Sequence, residues 1–211
     1  MRLSFFALTF LLLAGCSSRP DLPDFTASGY LADRGTVRIW RKNSTQKTWH
    51  LMAVYTPFSG GATETTDYLW QADKLIAFER HTAGQHPGTV TLRFDQDGGL
   101  SFMERQTDGR REALSADDVA LYQFDAERML KISDDLLAGR VLLKQGRWLA
   151  SGKIMRCDGV TDAPDFDNGA MVRQQRRTGA GVAWLEAPSG IQMLQISIDD
   201  PCATEPKEAE F

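Results

Sequence analysis

Between Thr26 and about Arg111 apolar residues alternate with polar ones, and at Ser115 that period of two gives way to a helical period. A strand turns successive side chains to opposite faces, whereas a helix gathers every third or fourth residue into one stripe. The first half of the chain must therefore be sheet. Thr36 to Arg41 places Val37 and Ile39 on one face, and Trp49 to Tyr55 is a second strand-like run closed by Pro57 and Ser59-Gly60-Gly61. Asp67 to Thr82 reads as a hairpin turning at Gln71 to Lys74, and Thr89 to Thr107 as another turning at Asp95 to Gly99. The stretches starting at Leu75 and at Leu100 share Leu, Glu-Arg, Thr and Gly at an offset of 25 residues. Outgoing strands of an antiparallel meander share such alternation and a glycine exit, and two copies are too few for a repeat architecture.

Ser115-Ala116-Asp117-Asp118 is a capping-box-like start, with acids in the first turn opposing the helix dipole. Val119, Tyr122, Ala126, Met129, Leu130, Ser133, Leu136 and Leu137 then share one face of a helix of about 23 residues, with a break expected near Ser133 and a stop at Gly139. Further on, Val141 to Leu143, a Lys144-Gln145-Gly146 turn and Trp148 to Ala150 predict a third hairpin. A short helix is expected over Ala170 to Arg177, and a last hairpin turns at Pro188 to Gly190. The fold class is α+β: an antiparallel β-meander or partial barrel with one long helix packed on it. One globular domain is expected over residues 26–204, followed by a charged, disordered tail over 205–211.

The extreme N-terminus follows another logic. Arg2 precedes an apolar run, Phe5 to Leu13, that is too short to span a bilayer as a helix, and the run ends in Leu13-Ala14-Gly15-Cys16. A charged start, a short apolar core and small residues before a cysteine resemble a bacterial lipobox. That resemblance implies lipidation of the Cys16 thiol and removal of residues 1–15 as a signal peptide. Several acyl chains on one residue make a stable anchor where a single chain does not. In the lipoprotein-sorting pattern of diderm bacteria, Ser17 after the lipidated position implies the outer membrane, with the domain facing the periplasm. Residues 16–25 then form a polar, proline-stiffened tether.

Without its leader the chain has 196 residues, enough for one substantial core, and losing Arg2 takes the net charge from −4 to −5. Such an acidic chain has no electrostatic reason to seek nucleic acid. Cys157 and Cys202 remain in the exported part. An oxidising compartment favours a disulfide between them, against two buried thiols or a redox pair, for which C-x-x-C would be usual.

The length, the lipobox and the order of motifs resemble the YjaH-type family of enterobacterial lipoproteins. Gly35-Thr36-Val37-Arg38-Ile39-Trp40-Arg41-Lys42 and Phe78-Glu79-Arg80-His81 carry the resemblance, which covers essentially the mature domain. It implies a place in the envelope and brings no activity with it.

The residues themselves point to no reaction. The sequence has no G-x-S-x-G elbow, Walker loop, H-E-x-x-H or dinucleotide fingerprint, and no cofactor is expected. His50, His81 and His86 show no zinc spacing, and the acidic run from Asp158 to Asp167 lacks the glycine register and final glutamate of a calcium loop. The five tryptophans fall in expected strands, where core packing is their ordinary role. If Trp40, Trp70 and Trp148 instead lined one open sheet face, they would form a glycan- or peptide-binding platform. The expected function is a non-enzymatic accessory or binding module, held to the membrane through Cys16 and meeting an envelope protein. The alternatives are an inhibitor of a cationic envelope enzyme, a small-ligand or glycan binder, and an envelope hydrolase with convergent histidine and carboxylates.

Overall fold

Residues 23–44 and 47–211 are described by a computed structural model. The expected leader, the expected lipidation site Cys16 and most of the expected tether lie outside the described residues. The alternating region forms eight strands: β1 (Phe25–Ala32), β2 (Gly35–Asn43), β3 (Thr48–Pro57), β4 (Glu64–Gln71), β5 (Lys74–Thr82), β6 (Gly88–Phe94), β7 (Leu100–Thr107) and β8 (Arg110–Glu112). They pair antiparallel in chain order, with β1 and β8 at opposite edges, so the meander stays open and is not a closed barrel. The β4–β5 turn lies where expected, with Ala72 and Asp73 both at positive φ, the geometry that matches the twist of a two-residue hairpin.

Helix α1 (Ala116–Ala138) begins at the expected cap. Ser115 Oγ accepts from the Asp118 amide, and the Asp118 carboxylate accepts from the Ser115 amide. The helix runs unbroken past Ser133, whose side chain is fully buried, and Gly139 caps its end. Val119, Ala126 and Met129 pack onto Val37, Ile39, Leu51, Tyr68, Phe78 and Leu92 of the meander. The period-two face and the helical stripe thus bury each other.

A second sheet covers the opposite face of β1–β3. It contains β9 (Leu142–Trp148), β10 (Ile154–Arg156), β11 (Thr161–Asp162), β12 (Gly181–Ala187) and β13 (Gly190–Ser197), in the order β11-β10-β9-β12-β13. Leu143, Ala183, Leu185 and Leu194 meet Trp40 and Val54. The sheet's far face, with Trp148, Val182 and Trp184, is closed by Phe166 and by Val172 of α2 (Gly169–Gln175).

Three expectations are corrected. Lys144-Gln145-Gly146 is not a turn but the middle of β9. Gly146 is needed there because a Cβ would collide with the Met155 carbonyl of the neighbouring strand, and the chain reverses instead around Gly152, at φ +83°. The tail over 205–211 is not loose. Phe211 packs edge-on to Phe25 and 4.1 Å from the His50 ring, while Lys42 Nζ donates to the carbonyl oxygens of Glu208 and Phe211. The tryptophan platform does not exist, because Trp40, Trp70 and Trp148 are each at least 97% buried.

Cys157 and Cys202 are joined by a disulfide, which ties the segment after β10 to the short 3-10 helix (Pro201–Thr204) after β13. Closing a loop of that length restricts the unfolded chain by about 4 kcal/mol in the chain-entropy picture. The double variant Cys157→Ser/Cys202→Ser should therefore lose roughly 3–4 kcal/mol in urea unfolding, and reductant should reproduce the loss in the parent chain.

Candidate functional site

The helix does not cover the meander completely. Beyond its middle, at the end of the sheet where β1 finishes, a cleft of about 480 Å³ opens between α1 and β1–β5. Strand alternation sends Tyr30, Tyr55, Thr66, Tyr68 and Arg80 toward it, and Asp125 comes down from the helix. Arg80 lies at its floor. Its Nη2 donates to Asp125 Oδ2 at 2.6 Å and its Nε donates to Thr66 Oγ1 at 3.0 Å, while the guanidinium sits 5.3 Å and 5.5 Å from the ring centroids of Phe78 and Tyr122. Tyr68 Oη donates to the same Asp125 oxygen at 3.1 Å, and Arg128 holds the other. Asp125 thus binds two sheet side chains and one helix side chain at once.

Electrostatics follow from this packing. Burial pushes the Tyr68 phenol well above its ordinary range, and the neighbouring Asp125 adds to the rise. Burial alone would lower Arg80, but Tyr68, Asp125 and Glu64 more than offset it and raise its affinity for the proton. Tyr30 is also raised, chiefly by burial. At neutral pH the cleft therefore presents neutral phenols around a permanent cation. Such a surface can hold a ligand by hydrogen bonds and ring contacts.

The histidines do not converge here. His50 pairs with Asp67 at 3.0 Å, His81 with Glu79 at 3.0 Å and His86 with Asp108 at 3.2 Å, on separate parts of the meander and outside the cleft. The acidic loop after Cys157 is folded back on the protein. Asp158 and Asp162 flank Arg156, Asp167 accepts from the Ile191 amide, and Phe166 is buried. Sequence reasoning missed Tyr30, Tyr68, Arg80 and Asp125 as a group, because their meeting needs the pairing of β4 with β5 and the docking of α1. The only signal was Arg80 and Asp125 at positions facing an apolar surface.

An eight-stranded open meander clasped between a long helix and a second sheet, with an aromatic cleft under the helix, defines a two-sheet α+β domain. The family described as "Protein of unknown function (DUF1481)" matches residues 27–207, and the chain belongs to it. It is 42% identical over 207 residues to the uncharacterized protein YjaH of Escherichia coli (strain K12), covering 95% of this chain and 89% of that one. No solved structure matches the chain.

Two outcomes test the network. Asp125→Ala would strand a partly buried guanidinium and phenol, and should cost about 2–3 kcal/mol in urea unfolding, with Arg80→Met/Asp125→Leu recovering most of it. Because Tyr68 titrates higher in the folded than in the unfolded chain, the unfolded chain loses its proton first above about pH 10, and stability falls there as pH rises. Tyr68→Phe should flatten that fall between about pH 9 and 11.5; an equally steep decline would contradict a buried phenol.

Proposed function

We propose that this protein is an outer-membrane lipoprotein, anchored through Cys16, whose periplasmic domain is a non-enzymatic binding module working through the cleft beneath α1. The observation that carries this reading is the commitment of every charged group at the cleft floor. Arg80 and Asp125 are bound to one another and to Thr66, Tyr68 and Arg128, which suits a rigid recognition surface better than a site that must move protons.

The geometry of attachment supports the same reading. A tether from Cys16 to Asp24 reaches at most about 26 Å. It enters the domain at Phe25, the opposite end of β1 from Leu31 and Ala32 at the cleft mouth, so the mouth lies roughly 23 Å along the strand from the point of attachment. A concave polar surface favours a binder over an inhibitor with a projecting acidic loop, since the loop after Cys157 lies against the protein.

In cells, Cys16→Ala should move the protein from the membrane to the soluble fraction. A photocrosslinking residue at Leu31, on the cleft rim, should capture a reproducible envelope component that the same residue at Met155 does not. Equal capture from both positions, or from neither, would remove the cleft from the reading.

A further inference from the structure

The inter-sheet layer contains a deeply buried arginine. Arg38 projects from β2 between the two sheets and is 91% buried. Its recorded hydrogen bond among the described residues runs from Nη1 to Gln145 Oε1 at 2.8 Å, and it forms no ion pair among them. Nε is buried without a partner. Nη1 lies on the guanidinium edge next to the side-chain stem, so the uncommitted edge is the Nε/Nη2 fork, which matches the two oxygens of a carboxylate. Burying an unpaired guanidinium is costly, and that cost points to a missing partner.

Most of the unpaired polar atoms around it are donors. Trp40 Nε1 is also a buried donor without a partner, its ring lies 5.6 Å from the guanidinium carbon, and the Gln145 side-chain amide faces the Glu205 carboxyl. Among the described residues the one unpaired acceptor nearby is Glu205 Oε2; burial raises that carboxyl, and its charge acts on Arg38 without forming an ion pair with it. Arg38 also lines a chamber of about 220 Å³ between the sheets, walled by Thr56, Thr63, Gln195 and Ser197, with the exposed Asp199 beside them. Asp200, in the same wall, is already held by Arg147 and by the Cys202 amide.

We propose that this chamber binds a small monocarboxylate of amino-acid size, with its carboxylate seated on the Nε/Nη2 fork of Arg38 and its remainder among the chamber's hydroxyl and amide groups. With Asp200 held by Arg147, Arg38 faces the single wall charge of Asp199, which opposes a dianion such as phosphate more strongly than a monoanion. The site is separate from the cleft under α1 and does not depend on its role.

The test uses the full-length chain in detergent, labelled with ¹⁵N-arginine and ¹⁵N-tryptophan and titrated with sodium acetate, glycine and inorganic phosphate at constant ionic strength. The Arg38 Nε–H and Trp40 Nε1–H resonances should move saturably with acetate or glycine in the millimolar range and stay in place with phosphate. Arg38→Lys, which keeps the charge and loses the fork, should weaken binding at least tenfold when followed at Trp40. Should that variant unfold, Thr63→Val on the chamber wall serves instead and should weaken the saturable shift several-fold. Resonances unmoved by about 50 mM acetate and glycine would make Arg38 a hydrated structural arginine and overturn the proposal. Saturation by phosphate at equal concentration, or undiminished binding in the variants, would overturn it as well.

Discussion

Over its first six residues, from Gly35 to Trp40, strand β2 has no solvent face, and the other layers are registered against that double burial. Val37 and Ile39 turn to the helix side, while Thr36, Arg38 and Trp40 turn to the second sheet. Each large apolar side chain sealed in this way contributes on the order of 1.5–3 kcal/mol, and one strand supplies such groups to two interfaces at once. Slipping β2 by one residue would send Arg38 toward α1 and expose Ile39 to the wrong layer. The register of β1 and β3 on either side follows from this strand.

The two concavities lie on opposite sides of the meander and are built differently. Under α1 Arg80 and Asp125 are paired and the Tyr68 phenol donates to Asp125, which makes a finished, rigid surface. Between the sheets the donors outnumber the acceptors, and Arg38 keeps its fork free. A satisfied network stabilises the fold by itself, whereas an unsatisfied one is stabilised when a complementary group arrives. The C-terminal tail borders the second region, since Glu205 lies in the field of Arg38 and Phe211 closes over Phe25 and His50.

Much of the local structure could be read residue by residue. The capping box at Ser115, the stop at Gly139, the turns at Ala72-Asp73 and at Asp95 to Gly99, and the helix face from Val119 to Leu137 all depend on neighbours within one or two turns of chain. The misreadings share a cause. Gly146 looked like a turn residue because glycine serves both turns and close strand approach, and only the presence of β10 distinguishes them. The tail looked disordered because it is short and charged, yet Phe211 and the acceptors for Lys42 find their partners more than 160 residues away in the chain.

Outside residues 141–162 the sequence by itself determined the main element types, their order, the antiparallel pairing of neighbours and the pair of cysteines available for a disulfide, because these follow from periodicity, caps, turns and composition. Tertiary structure alone decided that the strands divide into two sheets, that the tryptophans face inward, and that Arg80 meets Asp125 while Arg38 forms no ion pair among the described residues. Those outcomes depend on which face of a strand a distant segment covers. Alternation states that a strand has two faces, but only the packing of the whole chain determines what lies against each.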